Sequence, residues 1–255
     1  MPKHRVLGID ISIGSFEEHV QRLTALATER RSAYVCCVNA HMTVEANRDP
    51  QFKEVVSRAD FATADGMPLT RALQTLGHIR QERVAGNDLT PAMFNAAEQA
   101  GLSIYLYGGQ EEVLRLIRER LAADHPRLVV AGCESPPFRP LTDDEMQEVA
   151  QRINASGANL VFVSLGCPKQ ERWMAAMHNR VQAVMLGVGG AFLLYAGKDT
   201  RAPLWMRNLC LEWTYRLALE PRRLWKRYLV TNTIFVGMFL KSWIQSRFMN
   251  RSSEC

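Results

Sequence analysis

The chain has 255 residues, 47% hydrophobic and 22% charged, with a formal net charge of +5. That balance is ordinary for a soluble globular protein and allows one large α/β domain or two small ones with a sizeable core. The six cysteines (Cys36, Cys37, Cys133, Cys167, Cys210, Cys255) show no CxxC pair and no disulfide-like spacing, which fits a reduced, cytosolic compartment. The start, MPKHRVLGIDIS, has no apolar signal region, so secretion is not expected.

In chain order, RVLGIDIS reads as a strand, and Ser15 with Glu18 forms a capping box for a helix that places Phe16, Val20 and Leu23 on one face. SAYVCCVN is a buried strand, followed by helices from about Ala40 and after Pro50. ADFATADG is a short strand end leading into the helix MPLTRALQTLG, and another helix lies around Leu89–Gln99. The strand LSIYLYGG opens through two glycines onto the helix QEEVLRLIRERLAAD. LVVAGC is a strand, and Thr142 with Glu145 caps a helix running to about Ala155. NLVFVSLG, the helix from Pro168 (PKQERWMAAMH) and the strand QAVMLGVGG complete the pattern. Strands that are continuous apolar runs, alternating with helices, indicate a largely parallel sheet covered on both faces. Beyond Gly197 the alternation stops and successive helices follow, with a break near Pro221. The expected division is therefore an α/β core over 1–200 and a helical appendage over 201–255.

Charge divides in the same place. Residues 201–255 carry ten Lys or Arg against three Asp or Glu, a balance of +7, whereas the first two hundred carry 21 against 23. All five Trp are late: Trp173, Trp205, Trp213, Trp225 and Trp243. The segment Tyr228–Leu240 has thirteen charge-free residues, short of the ~20 that a spanning helix needs, so the tail is expected to lie on a bilayer rather than cross it.

In open parallel sheets, ligands bind beyond the C-terminal ends of the strands. Those ends carry Asn39, Asp65-Gly66, Gly108-Gly109, Gly166, and Gly187, Gly189 and Gly190. Any one glycine is as well explained by a turn, but five such ends together point to a nucleotide-type ligand, since glycine admits close backbone approach and helix N-termini favour phosphate. Asp65 is well placed for a general base. On spacing alone the stronger reading is an N-cap of the following helix. His41 and Glu45, four apart, read as a surface pair rather than metal ligands, because no third ligand is suggested nearby. GxGxxG, GxxxxGK[ST] and D-x-D are all missing, which disfavours a dinucleotide dehydrogenase, a P-loop NTPase and a metal-clamped sugar nucleotide. Arg216, Arg222, Arg223, Lys226 and Arg227 fall within twelve residues beside Trp225. Against the bland reading of a solvated face, this favours an anionic membrane surface or a phosphate. No nucleic-acid motif accompanies the charge, so nucleic acid is not expected as a partner.

ADGMPL, ERVAGNDL, LYGG, LGCPKQERW, GVGGAF with a following AG, RAPLW and LEWTYRLALEPRRLWKRY occur in the order seen in the WecG/TagA/CpsF glycosyltransferase family, which the chain resembles from about Gly8 to Tyr228. The resemblance implies a Rossmann-like core with a membrane-docking helical appendage. It implies an inverting transferase needing neither metal nor cofactor, which moves a sugar from a UDP-sugar to an undecaprenyl-diphosphate-linked sugar during polysaccharide or wall-polymer assembly. Such an enzyme would sit peripherally on the cytoplasmic face of the bacterial inner membrane. By position, Asp65 matches the family's proposed base and Asn39, Arg83 and Gln170 its active-site polar residues. Arg216, Arg222, Arg223, Lys226 and Arg227 lie in the region thought to reach the diphosphate. Three positions depart from the family's pattern: Cys37 where Thr is frequent, Leu193 where Asp is common and Cys210 where Gly is common. The donor sugar therefore stays open among N-acetylmannosamine, its uronic acid and glucose, as do the acceptor sugar and any homo-oligomer. The competing classes are a non-catalytic membrane scaffold and, less favoured, a nucleotide-dependent oxidoreductase.

Overall fold

The first stretch departs from the single strand expected of it. β1 (Lys3–Val6) and β2 (Ile9–Ser12) pair antiparallel as a hairpin. Its two turn residues, Leu7 and Gly8, both have positive φ, at 47° and 79°, as a tight hairpin turn requires. Leucine tolerates this because its side chain is buried in the core. The structure, a computed structural model, describes residues 1–252, and the side chains of all these but Arg223 and 248–252.

The succeeding elements follow the expected alternation. α1 (Phe16–Thr28) carries the Ser15–Glu18 capping box and leads to β3 (Ala33–Val38), every residue of which is buried. α2 (Ala40–Arg48) and α3 (Pro50–Arg58) precede β4 (Phe61–Ala64) and α4 (Met67–Gly77). α5 (Gly86–Gln99), β5 (Ser103–Gly108), α6 (Glu111–Asp124) and β6 (Val129–Glu134) come next. α7 (Asp143–Ala155) has the Thr142–Glu145 box, and β7 (Leu160–Ser164), α8 (Lys169–Met177), β8 (Val184–Gly187) and the short α9 (Ala191–Tyr195) complete the core. The sheet is wholly parallel, in the order β4-β3-β8-β7-β5-β6. Successive residues of β3 go to opposite faces. Tyr34, Cys36 and Val38 join one core with α2, α3, α4 and α8, while Ala33, Val35 and Cys37 join another with α1, α5 and α6. Both faces being covered explains why these strands read as unbroken apolar runs.

The tail forms α10 (Leu204–Asn208), α11 (Glu212–Leu219) and α12 (Pro221–Ser252). Proline at the first position of α12 lacks the N–H that a helix start leaves unpaired, so the break near Pro221 is also a beginning. One side of α12 packs on α2 and α4, with Leu224, Thr231 and Phe235 buried. Phe235 belongs to the first core itself. Each such apolar side chain contributes about 1.5–3 kcal/mol, so the tail helix is held by the core rather than hung from it. Its other side exposes Trp225, Leu229, Val236, Leu240, Trp243 and Ile244. Among the described residues, no helix is long and apolar enough to cross a membrane.

Candidate active site

Asp65 follows the last residue of β4, and its backbone N–H is tied to the Val38 carbonyl at 2.8 Å. The cap reading favoured by spacing does not hold. The N-cap of α4 is Gly66, at φ 114°, and no side chain caps that helix. Only glycine is relaxed at such a φ, so the turn is made by Gly66 and the Asp65 carboxylate is left for other work. Beside it, Val84 N–H donates to the Ala64 carbonyl at 2.9 Å and Thr63 Oγ1 donates to the Val84 carbonyl at 2.8 Å. These bonds lay Glu82–Ala85 alongside β4 and bring Arg83 and the N-terminus of α5 to the carboxylate. Burial raises the Asp65 pKa to about 7, reinforced by the negative charge of Glu212; Arg83 and the Gly86 N–H pull in the other direction. A carboxylate poised there is half-ionised near neutrality and fit to accept a proton.

Arg83 does not stand alone. Its Nη2 donates to Asp88 Oδ2 at 2.6 Å and its Nη1 lies 3.6 Å from Glu212 Oε2. Arg201 Nη2 sits 2.6 Å from the other Asp88 oxygen. Arg207, on α10, is held below the usual arginine pKa by burial and then by repulsion from Arg201 and Arg83. The tail therefore brings two further guanidinium groups to Arg83.

Gln170 and Glu171 lie in the first turn of α8, which begins at Lys169 after the cis Cys167–Pro168 bond. Gln170 Oε1 accepts from the Gly166 N–H at 3.2 Å, and its Nε2 donates to Glu171 Oε1 at 2.7 Å. Glu171 is fully buried, and burial raises its pKa to about 7. Asn39 is the N-cap of α2, its Oδ1 accepting from Met42 N–H at 3.1 Å. That leaves its Nδ2 facing no protein partner among the described residues.

The glycines divide by role. A Cβ on Gly108 would lie 2.5 Å from the Ser164 carbonyl oxygen, so this glycine lets β5 and β7 come together. One on Gly109 would only touch Phe192. One on Gly187 would strike Met174 at 2.6 Å and crowd Gln170 Nε2 at 3.2 Å, and Gly189 faces the Gln170 Oε1 side at 3.4 Å. Gly187 and Gly189 therefore give Gln170 its room. The helix following Gly108-Gly109 begins with Glu111 and Glu112, the latter paired with Lys198.

Of the tail cations, Arg216 reaches inward. Its Nη2 is 3.4 Å from Asp199 Oδ2 and would be 3.3 Å from a Cβ on Gly190. Arg227 is exposed but close enough to His41 and Cys167 to affect both electrostatically. Arg222 and Lys226 are exposed, Lys226 beside the Trp225 ring at 5.7 Å. The side chain of Arg223 lies outside the described residues. His41 Nδ1 is 3.5 Å from Thr231 Oγ1 on α12 and Glu45 is 3.9 Å from Arg48, while the Glu45 charge also acts on His41, so the two are an electrostatic pair with further contacts of their own, one at the tail's packing face. Among the described residues, no group of three His, Cys, Asp or Glu is placed to hold a metal ion.

Asp88, Arg201, Arg207, Glu212 and Glu171 were not singled out from the sequence. All but Arg207 stand inside the quoted motifs ERVAGNDL, RAPLW, LEWTY and LGCPKQERW. What was missing was any sign that ERVAGNDL and RAPLW meet.

A carboxyl group whose pKa is raised to about 7 lies beside clustered guanidiniums at the C-terminal edge of the parallel sheet, where open parallel sheets bind their ligands. The family model "Glycosyl transferase WecG/TagA/CpsF family" matches residues 4–248. A Bacillus spizizenii protein named N-acetylglucosaminyldiphosphoundecaprenol N-acetyl-beta-D-mannosaminyltransferase is 32% identical over 222 residues, 87% of this chain and 83% of the relative. A Bacillus subtilis protein of the same name is 29% identical over 230 residues, 89% and 86% respectively. The chain belongs to the WecG/TagA/CpsF family and is a glycosyltransferase.

Proposed function

We propose that this enzyme transfers N-acetylmannosamine, with inversion, from its UDP derivative to an undecaprenyl-diphosphate-linked N-acetylglucosamine, at the cytoplasmic surface of the membrane. The sugars are those in the names of the two relatives. The observation that carries the chemistry is Asp65: released from capping, with its pKa at about 7, it lies in the field of Arg83. Ionised Asp65 takes the proton from the acceptor hydroxyl as that oxygen attacks the anomeric carbon. The bond from that carbon to the diphosphate oxygen breaks on the opposite face, and its electron pair leaves with UDP. One displacement inverts the centre. The negative charge gathering on UDP calls for fixed positive groups, and guanidinium forks beside the base meet that need without a divalent ion.

The residues beyond about 200 act in this reading as the appendage that joins the core to the bilayer. Support comes from α12, whose outer side carries Trp225, Leu229 and Trp243 together with exposed Arg222, Lys226 and Arg227. Aromatic rings at headgroup level and cations on anionic lipid are both favourable. The test is UDP release from UDP-N-acetylmannosamine with the lipid-linked acceptor embedded in vesicles, in excess EDTA. Turnover is expected with chelator present and faster on anionic than on neutral vesicles. Loss of turnover in EDTA with rescue by manganese would remove the metal-free reading, and equal rates on both vesicle types would remove the membrane reading.

A further inference from the structure

We propose that Gln81 is a positioning residue for the reaction, clamping the backbone that carries Arg83 to the corner between β2 and α1. This rests on the glycosyl-transfer reading and deepens it, by naming what holds Arg83 and the Gly86 N–H on Asp65. Between the end of α4 at Gly77 and the start of α5 at Gly86 the chain has no regular structure. With neither ladder nor helix of its own, that backbone is fixed only by partners elsewhere. Gln81, buried, supplies them. Its Oε1 accepts from the Gly14 N–H at 3.0 Å, and its Nε2 donates to the Gly14 carbonyl at 2.7 Å and to the Glu82 carbonyl at 2.9 Å. Both amide hydrogens and the carbonyl oxygen are in use, and one side chain grips both backbone groups of a residue 67 positions away. Next to it, Glu82 Oε2 accepts from the N–H of Phe16, the first residue of α1, at 2.8 Å.

The corner is itself tied to the strand that leads to Asp65. Ser12, the last residue of β2, accepts through its Oγ from the Ala62 N–H of β4 at 3.1 Å. A Cβ on Gly14 would lie 2.4 Å from Met1 Cε and 2.9 Å from Glu18 Oε2, so the corner has no room for a side chain. Downstream of Arg83, Val84 is bonded to Ala64 and Thr63 of the same strand. Arg83 therefore stands between two clamps, both referred to β4. The groups that act on Asp65 come from four directions. Arg83 on this segment and the Gly86 N–H at the start of α5 favour its ionised form; Glu212 on α11 and Asp88 on α5 oppose it, and the Cys37 thiol of β3 lies within its field. Both favourable groups follow Gln81 closely along the chain, so slack at Gln81 reaches them first. Misplacing a group at a reacting centre by about 1 Å can cost on the order of 10²-fold in rate.

The test compares full-length wild type, Gln81→Leu, Glu82→Ala and Asn159→Ala. Gln81→Leu keeps the bulk and leaves the Gly14 and Glu82 backbone groups unpaired. Asn159 bridges Ser103 and Ala27 at the opposite end of the sheet, so its loss weakens the fold without touching the clamp. UDP release is followed against pH, and Asp65 is titrated directly by infrared difference against Asp65→Asn. In Gln81→Leu, kcat should fall about ten-fold or more while KM for the UDP-sugar changes less. The acid limb should move to higher pH by about 0.5 or more, because the base loses its fixed partners. Asn159→Ala should keep the wild-type limb even if it melts earlier, since weakening the fold there leaves the partners of the base in place. If Gln81→Leu fails to fold, Glu82→Ala, at an exposed position, removes the neighbouring tie and should move the limb the same way by less. A folded variant whose limb stays in place or moves to lower pH overturns the inference and leaves Asp65 as the base. A displaced infrared titration of Asp65 with no transfer from any UDP-sugar would instead remove the transferase mechanism and leave the clamp standing.

Discussion

Two carboxyl groups at the same edge of the sheet, Asp65 and Glu171, are both raised to about 7 by burial. Their surroundings separate them. Asp65 is half-buried in the field of Arg83, with Gly66 taking over its turn duties. Glu171 is sealed completely; its Oε1 accepts from Gln170 and its Oε2 has no partner. The pair shows that a shifted pKa does not by itself define a catalytic group. In the proposed mechanism, access and a neighbouring cation let one serve as a base, while enclosure leaves the other holding the Gln170 amide.

The contrast can be broken most sharply at Asp65. Asp65→Asn should lower turnover by about 10²–10⁴-fold with the fold intact, and the wild-type rate should fall with one proton as pH drops below about 7. Near-wild-type turnover by a folded Asp65→Asn protein, measured as UDP release, would reduce Asp65 to the level of Glu171. Arg83→Gln comes next, with an expected loss of about 10²-fold from removing one charge-stabilising donor. Because Arg83 lowers the pKa of Asp65, the acid limb of the pH profile should also move upward in that variant. A profile that stays in place would show that Arg83 does not act on the base.

The smallest effect on rate belongs to Glu171→Gln, which should keep turnover within about three-fold while changing how stability depends on pH. A carboxyl whose folded pKa is raised stabilises fully below its unfolded value, and that contribution disappears as pH rises through about 7. The wild type should therefore lose about 1–3 kcal/mol between pH 5 and pH 8 from this group. Glu171→Gln should lose less over the same interval, as read from urea midpoints at the two pH values. Parallel losses in both proteins would show that Glu171 titrates as an ordinary surface acid.

Much of the fold was legible because local chemistry wrote it. The two capping boxes, Pro50 and Pro221 opening their helices, and the apolar β3, β5 and β7 state their structure within a few residues. The hairpin was missed because its turn uses Leu7, whose positive φ is stabilised by long-range burial. Cys210 is a related case. It has φ 63°, in the left-handed region that favours glycine, which explains the glycine common at this place in the family and makes the cysteine here the strained choice.

The sequence alone determined the parallel α/β architecture, the position of Asp65 at a strand end and the basic, Trp-bearing tail, since each depends on residue type and short-range periodicity. Tertiary structure decided that Asp65 caps nothing, that Glu171 is enclosed, and that α12 lies on α2 and α4. It also decided which arginines gather at the carboxylate. Arg83, Asp88, Arg201 and Glu212 become neighbours only when α10 and α11 fold back over the sheet edge. The physical reason is that burial and Coulomb interaction depend on distance through space, and no spacing along the chain encodes a meeting between segments so far apart.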